Sequence, residues 1–429
     1  MAADTVKTNT RKIRAVFARV PVLGWLLGIL AAVMLEKFFG SDIALAVGLP
    51  KIPALFGIDI MLKKPLLIPN AVLNTILVYV LPIGIVAIVS SSPANRIAGA
   101  LIRFPIFVSA AVHLGLLYLS LHYWADISDY RLLVLKLTLI AVMLTLSLNV
   151  INGYMGEFSC SHPGFMALGA YCASVITVGL FVDANMFGIG LLSDKFGPFL
   201  FPLALLTGGL MAAAGALLVA VPSFRTRGDY LAIISLAFLF IVKSIIENFE
   251  FVKGPRGLSG QPDWAGLPTV FIWAVICIWS INNFVSSTLG KALNAVRDNE
   301  LAAEAMTVNT RRTKMAGFLF AAFWAGVAGG LFAHVLRYVN PGTFGIQNLA
   351  EVLAMVYFGG LNSVYGSIVG AVSVSILGEA LRPLEIFKWI IIPLLLILVM
   401  VFRPTGLVAF KDFNMESLLS PRRGPEGGE

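Results

Sequence analysis

Asn149-Val150-Ile151-Asn152-Gly153-Tyr154-Met155-Gly156-Glu157-Phe158-Ser159-Cys160-Ser161-His162-Pro163-Gly164-Phe165, running on to Gly169-Ala170-Tyr171, is the stretch on which the reading of this chain turns. It joins two charge-free runs, 137–156 and 158–182, across a single acid, Glu157. Each run reaches the roughly 17–25 apolar residues that a helix needs to cross a bilayer. Gly153 and Gly156 are placed to interrupt a helix or to let another pack closely. Asn152 and Ser159 are placed to satisfy the backbone groups that an interruption frees. The stretch predicts two membrane helices joined by a polar, glycine-bearing turn.

The same pattern repeats outward. Charge-free runs cover 65–95, 104–125, 196–224, 264–290, 315–336 and 352–378, with shorter candidates at 20–35, 230–246 (interrupted by Lys243) and 389–402. Gly359, Gly360, Asn362 and Gly366 break the run 352–378, which predicts two short helices there. Hydrophobic residues make up 58% of the 429 and charged residues 13%. Soluble domains are about 25% charged, so a soluble enzyme is excluded. Porin-type strands alternate polarity over roughly ten residues, and these runs do not. The expected fold is an all-α polytopic membrane protein with about 10–12 membrane helices or half-helices. Small residues such as Gly164, Gly169 and Ala170, Gly208, Gly209 and Ala212, and Gly326, Gly329 and Gly330 predict close helix packing.

Basic residues set orientation. With the amino terminus in the cytoplasm, the inside segments carry 18 Lys and Arg and the outside segments 11. Both termini are therefore expected inside. Segment 1–19 reads as a basic cytoplasmic amino terminus followed by an uncleaved first helix. Segment 20–128 reads as amino-terminal membrane helices with an outer loop, and 129–410 as the core domain. Segment 411–429 reads as a disordered cytoplasmic tail, because it has little apolar content to bury. Cys160, Cys172 and Cys277 are too few and scattered for a disulfide framework or zinc cluster. No metal, cofactor or nucleic acid is expected on this chain; membrane lipid is.

One polar segment, 288–314, stands out. It sets Lys291, Arg297, Arg311, Arg312 and Lys314 against Asp298, Glu300 and Glu304. Its alanines and leucines favour a helix over 290–307. Glu300 and Glu304 share a face with Ala303 between them, which makes a low-relief surface suited to a cleft on another protein. No segment matches the phosphate-cradling pattern of P-loop ATPases, so energy from ATP has to come from another subunit. The four histidines are scattered, without a metalloprotease spacing.

Three stretches, together with the span layout over about residues 130–410, resemble the LivM-type permeases of branched-chain amino-acid ABC importers. The first is the opening stretch, where the family has N-x-x-x-G-Y-x-G-x-x-S-x-G-H-x-x-F and Ser161 stands in place of the glycine before His162. The second is Arg227-Gly228-Asp229-Tyr230-Leu231-Ala232-Ile233 with Gly254-Pro255-Arg256-Gly257-Leu258-Ser259-Gly260. In this outer loop Arg256 replaces a small polar or acidic residue. The third is Glu300-Leu301-Ala302-Ala303-Glu304-Ala305-Met306, similar to the ATPase-coupling helix of importer permeases. Thr307 stands at the family's glycine, so the turn after the helix is expected to differ. The run Glu351–Leu361, with Gly359 and Gly360, matches as well.

The resemblance implies a non-catalytic transport subunit in a bacterial inner membrane. It implies a LivH-type permease partner, two P-loop ATPase subunits that use ATP and Mg, and a periplasmic substrate-binding protein. Arg297, Glu300, Ala302, Ala303, Glu304 and Thr307 would then couple to the ATPase, and Ala303→Arg is expected to abolish that association. Asn149, Asn152, Ser159 and Glu351 are candidates for the translocation pathway; the alternative for Asn149, Asn152 and Ser159 is that they tie one helix to another by hydrogen bonds. Gly153, Gly156, Gly169, Gly257, Gly359 and Gly360 are expected as structural glycines. Glu351 is expected to pair with Arg337 or cap a helix, Arg131 and Lys136 to sit at outer headgroups, and His162 to gate or anchor. Relatives that import urea or small amides share the layout, and an ion-coupled secondary carrier is the alternative of another class.

Overall fold

The computed structural model describes the chain apart from residues 1–16, 56–63, 183–187, 189, 191, 225–229, 404, 409–412 and 423–429. Lys7, Arg11, Lys12 and Arg14 of the basic amino terminus, and Arg227-Gly228-Asp229 of the second motif, lie outside the described residues. Two compact units result, Met1–Leu135 with Asn414–Glu429, and Lys136–Phe413. Among the described residues nine helices are long and apolar enough to cross a membrane, and Val364–Ala380 and Ile390–Phe402 are shorter apolar helices. The chain is an all-α polytopic membrane protein.

The first unit contains α1 (Val22–Ala46), α2 (Ile68–Thr75), α3 (Leu81–Val89), α4 (Ser91–Leu101), α5 (Ile106–Ala125) and the start of α6 (Asp129–Asn149). A π-helical turn, Ile76–Val80, links α2 to α3. Pro82 follows it in the first turn of α3. Proline lacks an N–H and its ring crowds the carbonyl four residues back, and a widened turn relieves both. The turn sets Tyr79 inward, where its hydroxyl donates to Glu36 Oε2.

That contact belongs to a buried ion pair. The Arg131 guanidinium donates to both Glu36 oxygens, at 2.7 and 3.0 Å. It also donates to the Pro53 carbonyl at 2.7 Å and lies 5.1 Å from the Trp124 ring. Glu36 and Arg131 are 2% and 1% exposed, so Arg131 is not at the outer headgroups as its position near a span end had implied. The bidentate geometry, the Tyr79 donor and the Pro53 acceptor meet the charges that burial strips of water. The same pairing satisfies Glu36 inside α1, which runs on to Ala46, beyond the apolar run 20–35. The tail, expected to lack structure throughout, carries a short helix α17 (Met415–Leu419). Leu419 is buried, and the Arg422 N–H donates to Asn95 Oδ1 at 2.9 Å.

The second unit continues α6 through a π-helical turn, Val150–Met155, to Gly156. There follow α7 (His162–Phe181), α8 (Gly197–Ser223), α9 (Tyr230–Asn248) and α10 (Leu267–Ser286). Next come α11 (Thr288–Asp298), α12 (Glu300–Ala305), α13 (Thr310–Leu336), α14 (Ile346–Gly359), α15 (Val364–Ala380) and α16 (Lys388–Phe402). Two short strands pair antiparallel, Leu258 with Val339 and Ser259 with Tyr338.

Helices α7, α8 and α13 meet at glycines. A side chain at Gly169 would overlap the Gly326 carbonyl, and one at Gly329 the Met166 carbonyl. A Cβ at Gly208 would sit 2.8 Å from the Gly169 oxygen. In lipid such backbone approach supplies the attraction that water would otherwise provide. Phe165 fills the space beside them, 5.3 Å from Phe238 and 5.6 Å from Phe318. Phe240 points outward, half exposed.

The run 352–378 divides as its glycines predicted. α14 and α15 cross where a Cβ at Gly359 would overlap the Gly366 carbonyl. Their connector uses Gly360 at φ 127° and Asn362 at φ 55°. Chain after α16 returns to satisfy the end of α14: the Leu407 N–H donates to Phe358 O at 3.1 Å and the Val408 N–H to Gly359 O at 2.8 Å.

The Arg131–Glu36 pair yields a stability test. Arg131→Met strands a buried carboxylate and should destabilise the first unit by about 3–5 kcal/mol. Thermal unfolding in mild detergent measures the loss, and Glu36→Gln added to Arg131→Met should recover part of it.

Candidate functional site

The stretch that opened the sequence analysis folds into a helix end, a tight turn and a helix start. The π-helical turn Val150–Met155 closes on Gly156, whose φ of 75° is left-handed. π-helical turns inside α-helices mark functional positions more often than chance. Asn149 sits at the junction, 1% exposed. Its amide nitrogen donates to the Ser363 carbonyl at 3.0 Å and the Ser367 hydroxyl at 2.7 Å. Its oxygen accepts from the Asn362 N–H at 3.1 Å. Asn149 thus clasps α6 to the α14–α15 connector. A Cβ at Gly153 would lie 2.6 Å from the Asn362 nitrogen, so Gly153 lets the connector come this close.

Asn152 and Ser159 meet across the turn, with the Ser159 N–H donating to Asn152 Oδ1 at 3.3 Å. The hydroxyls of Ser159 and Ser161 are 2.8 Å apart. Ser161, in place of the glycine expected before His162, thereby joins a buried serine pair. The Cys160 N–H donates to Ser235 Oγ at 2.9 Å, which anchors the turn to α9. His162 is buried, 5.8 Å from Phe165 edge to face. Asn149 thus ties α6 to the α14–α15 connector, and Asn152, Ser159 and Ser161 are bonded to one another within the turn.

Glu351 lies inside α14, not at its start, and its partner is Lys388 on α16 at 2.7 Å. The expected pairing with Arg337 does not form. Arg337 ends α13 and donates to the Gln261 carbonyl at 3.2 Å. Gly257, at φ 75°, lets the loop approach Val339 so that the two strands pair.

The second cluster surrounds α11 and α12. The predicted helix over 290–307 is two helices, broken at Asn299, whose backbone is extended at φ −161° and ψ 105°. The Asn299 side chain accepts from the Ala302 N–H at 3.0 Å and caps α12. Asn309 caps α13 in the same way through the Arg312 N–H. The break turns α12 so that Ala303 faces inward at 5% exposure, while Leu301 and Met306 are 70% and 77% exposed. Ala302 and Ala305 are exposed beside them. An arginine at Ala303 would disrupt this chain's own packing, so Ala303→Arg does not isolate a contact with a partner. Glu304 Oε1 accepts from the Thr310 hydroxyl at 3.0 Å, bracing the far end of α12.

Two cations join the clusters. Arg297 on α11 donates to the Gly153 carbonyl at 3.1 Å and pairs with Asp298 at 2.8 Å. A side chain at Gly156 would overlap the stem of Arg297. Lys314 on α13 donates to Glu157 Oε1 at 2.7 Å and Glu300 Oε2 at 2.9 Å. The sequence reading counted Lys314 among the charges of 288–314 and quoted Glu157 within the opening stretch, but gave neither a role. The available signal was position: Glu157 is the one acid between two spans, and Lys314 the last cation before an apolar run.

These clusters fall inside the region that matches the family model of the branched-chain amino acid transport system permease component, residues 130–402. The chain is 31% identical over 307 residues to the high-affinity branched-chain amino acid transport system permease protein LivM of Escherichia coli (strain K12), covering 63% of this chain and 68% of that protein. It is 30% identical to LivM of Salmonella typhimurium over the same shares. It is 26% identical over 168 residues to the permease protein BraD of Pseudomonas aeruginosa, covering 37% of this chain and 52% of that protein. No solved structure matches. The chain belongs to the branched-chain amino acid transport permease family, and is a multi-pass membrane permease component of the ABC importer type.

Thr307, at the glycine position of the family motif, adopts φ 67°. The turn after α12 therefore sets a β-branched residue in the left-handed region that favours glycine. A β-branched residue in that region costs about 1–2 kcal/mol. Thr307→Gly should raise the unfolding temperature of the second unit, as read by thermal unfolding in detergent.

Proposed function

We propose that this chain is one of two permease subunits of an ATP-driven importer for branched-chain or other small neutral amino acids in a bacterial inner membrane. A second, LivH-type permease stands beside it, a periplasmic binding protein delivers the solute, and two P-loop ATPases bind on the cytoplasmic side, where both termini lie. The branched-chain assignment draws on what the similar permeases of Escherichia coli and Salmonella typhimurium are named for. One observation carries the coupling role: α12 presents Leu301, Ala302, Ala305 and Met306 outward from a braced, capped support. Exposed leucine and methionine flanking alanines make a shallow apolar ridge that fits a groove on another protein. Arg297, Glu300, Glu304 and Thr307 shape and hold the ridge; Ala303 packs beneath it.

Transport in this reading is a rocking of helices around the pathway, driven from outside the chain. The Asn149 clasp and the Asn152–Ser159 contact hold the helix ends that must move together. Glu351 acts as half of an ion pair that fixes α14 to α16.

The test uses the exposed ridge and leaves Ala303 alone. Leu301→Arg and Met306→Arg should each abolish co-purification of the ATPase subunits and ATP-driven leucine uptake in proteoliposomes. Both side chains are exposed, so the unfolding temperature and membrane yield should not change. Unaltered ATPase binding in the double variant would reject α12 as the docking element.

A further inference from the structure

Lys314 occupies the second turn of α13 with 9% exposure. An ammonium so placed requires partners of opposite charge. It has two, on separate elements: Glu157, just after the π-helical turn, and Glu300, the first residue of α12. Neither carboxylate is fully buried, with side chains 23% and 45% exposed. Water already serves both in part, so what the lysine adds is a tie between the segments that carry them. The two carboxylates converge on one ammonium, so without it they would face each other as like charges. Arg297 grips the same turn at its other end, through the Gly153 carbonyl and by packing its stem over Gly156. From Gly153 the chain leads back within the π-helical turn to Asn149, which is bonded to Asn362, Ser363 and Ser367. A continuous bonded path thus runs from the ridge of α12 to the connector between α14 and α15.

We infer that Lys314 is a positioning residue for transport, the strut that makes α12 and the turn 153–157 move as one body. The inference rests on α12 being the docking element proposed above. A displacement of α12 by a nucleotide-driven partner then arrives at the turn undiminished. With methionine at 314, α12 remains capped by Asn299 and braced by Thr310, so the partner still docks while the turn no longer follows.

Phe158, 44% exposed beside Glu157, is the place to read the motion. A Phe158→Cys reporter is introduced after Cys160, Cys172 and Cys277 are replaced by alanine. Of these, Cys160 lies in the same turn, where burial pushes its thiol up. The chain, assembled with its permease and ATPase partners in proteoliposomes, is labelled with a maleimide in the nucleotide-free and ATP–vanadate-trapped states. The expected result is a several-fold change in labelling rate on trapping in the parent. Lys314→Met should lose that change while ATPase subunits stay bound and hydrolyse ATP, and Lys314→Arg should retain it. A full change in Lys314→Met overturns the strut, as does a parent that shows none. Loss of the ATPases in Lys314→Met also overturns it, since the lysine would then only shape the docking surface. ATPases that fail to bind the parent reject the docking reading and the strut together. Leucine uptake is read in the same vesicles: its absence with the labelling change intact removes the solute assignment and leaves the strut standing.

Discussion

Contact between backbones at glycine holds the second unit together. In lipid an apolar side chain gains little by exchanging a hydrocarbon tail for a neighbouring helix, so attraction has to come from close packing and from hydrogen bonds. Gly169, Gly208, Gly326 and Gly329 let α7, α8 and α13 approach until main-chain atoms touch. Gly359, Gly366 and Gly370 do the same for α14 and α15. At Gly169, Gly208, Gly329, Gly359 and Gly370 a methyl group is enough to separate two helices, because the nearest atom it would meet is a carbonyl of the neighbouring helix. The rigid frame this creates is what gives the less regular turn at 150–162 fixed walls to lean on.

Charge is the second constraint. The interior of each unit admits ions only where the geometry satisfies them. Glu36 and Arg131 are buried as a bidentate pair with Tyr79 and the Pro53 carbonyl completing the shell. Breaking such a pair leaves a bare buried charge, which costs far more than the pair itself contributes. Lys314 is a different case. Its partners are accessible to water and sit on segments that the backbone alone does not join, so its contribution lies in what it connects.

Much of this was legible in the sequence because membrane spans announce themselves by length and lack of charge. The runs at 104–125, 196–224 and 315–336 became helices within a few residues of their limits. Gly153, Gly156, Gly169 and Gly359 were readable as close-approach sites because a glycine in an apolar helix has few other uses. Pairing was not readable. Arg131 near a span end looks like a headgroup lysine or arginine, and only the fold shows that α1 places Glu36 opposite it. Glu351 looked toward Arg337 in sequence, yet α16 brings Lys388 to it. The polar residues of the 149–161 turn were recognisable as important. Which partners each of them meets depends on a π-helical turn that composition does not encode.

The break at Asn299 shows how a small local choice decides what the platform can do. On any helix Glu300, Ala303 and Glu304 share one face, and where that face points depends on how the helix is set. Asparagine is a good amino-terminal cap and a poor residue in a helix interior, so the chain stops at Asp298 and starts again at Glu300. The restart rotates Ala303 inward and brings Leu301 and Met306 out. It also aims the Glu300 carboxylate at Lys314. One cap therefore sets both the exposed apolar ridge and the acidic end that ties the ridge to the rest of the chain. With the break gone, the ridge and the tie would no longer be available in the same conformation. That is the physical reason the polar segment between α10 and α13 is built from two short capped helices and not one long one.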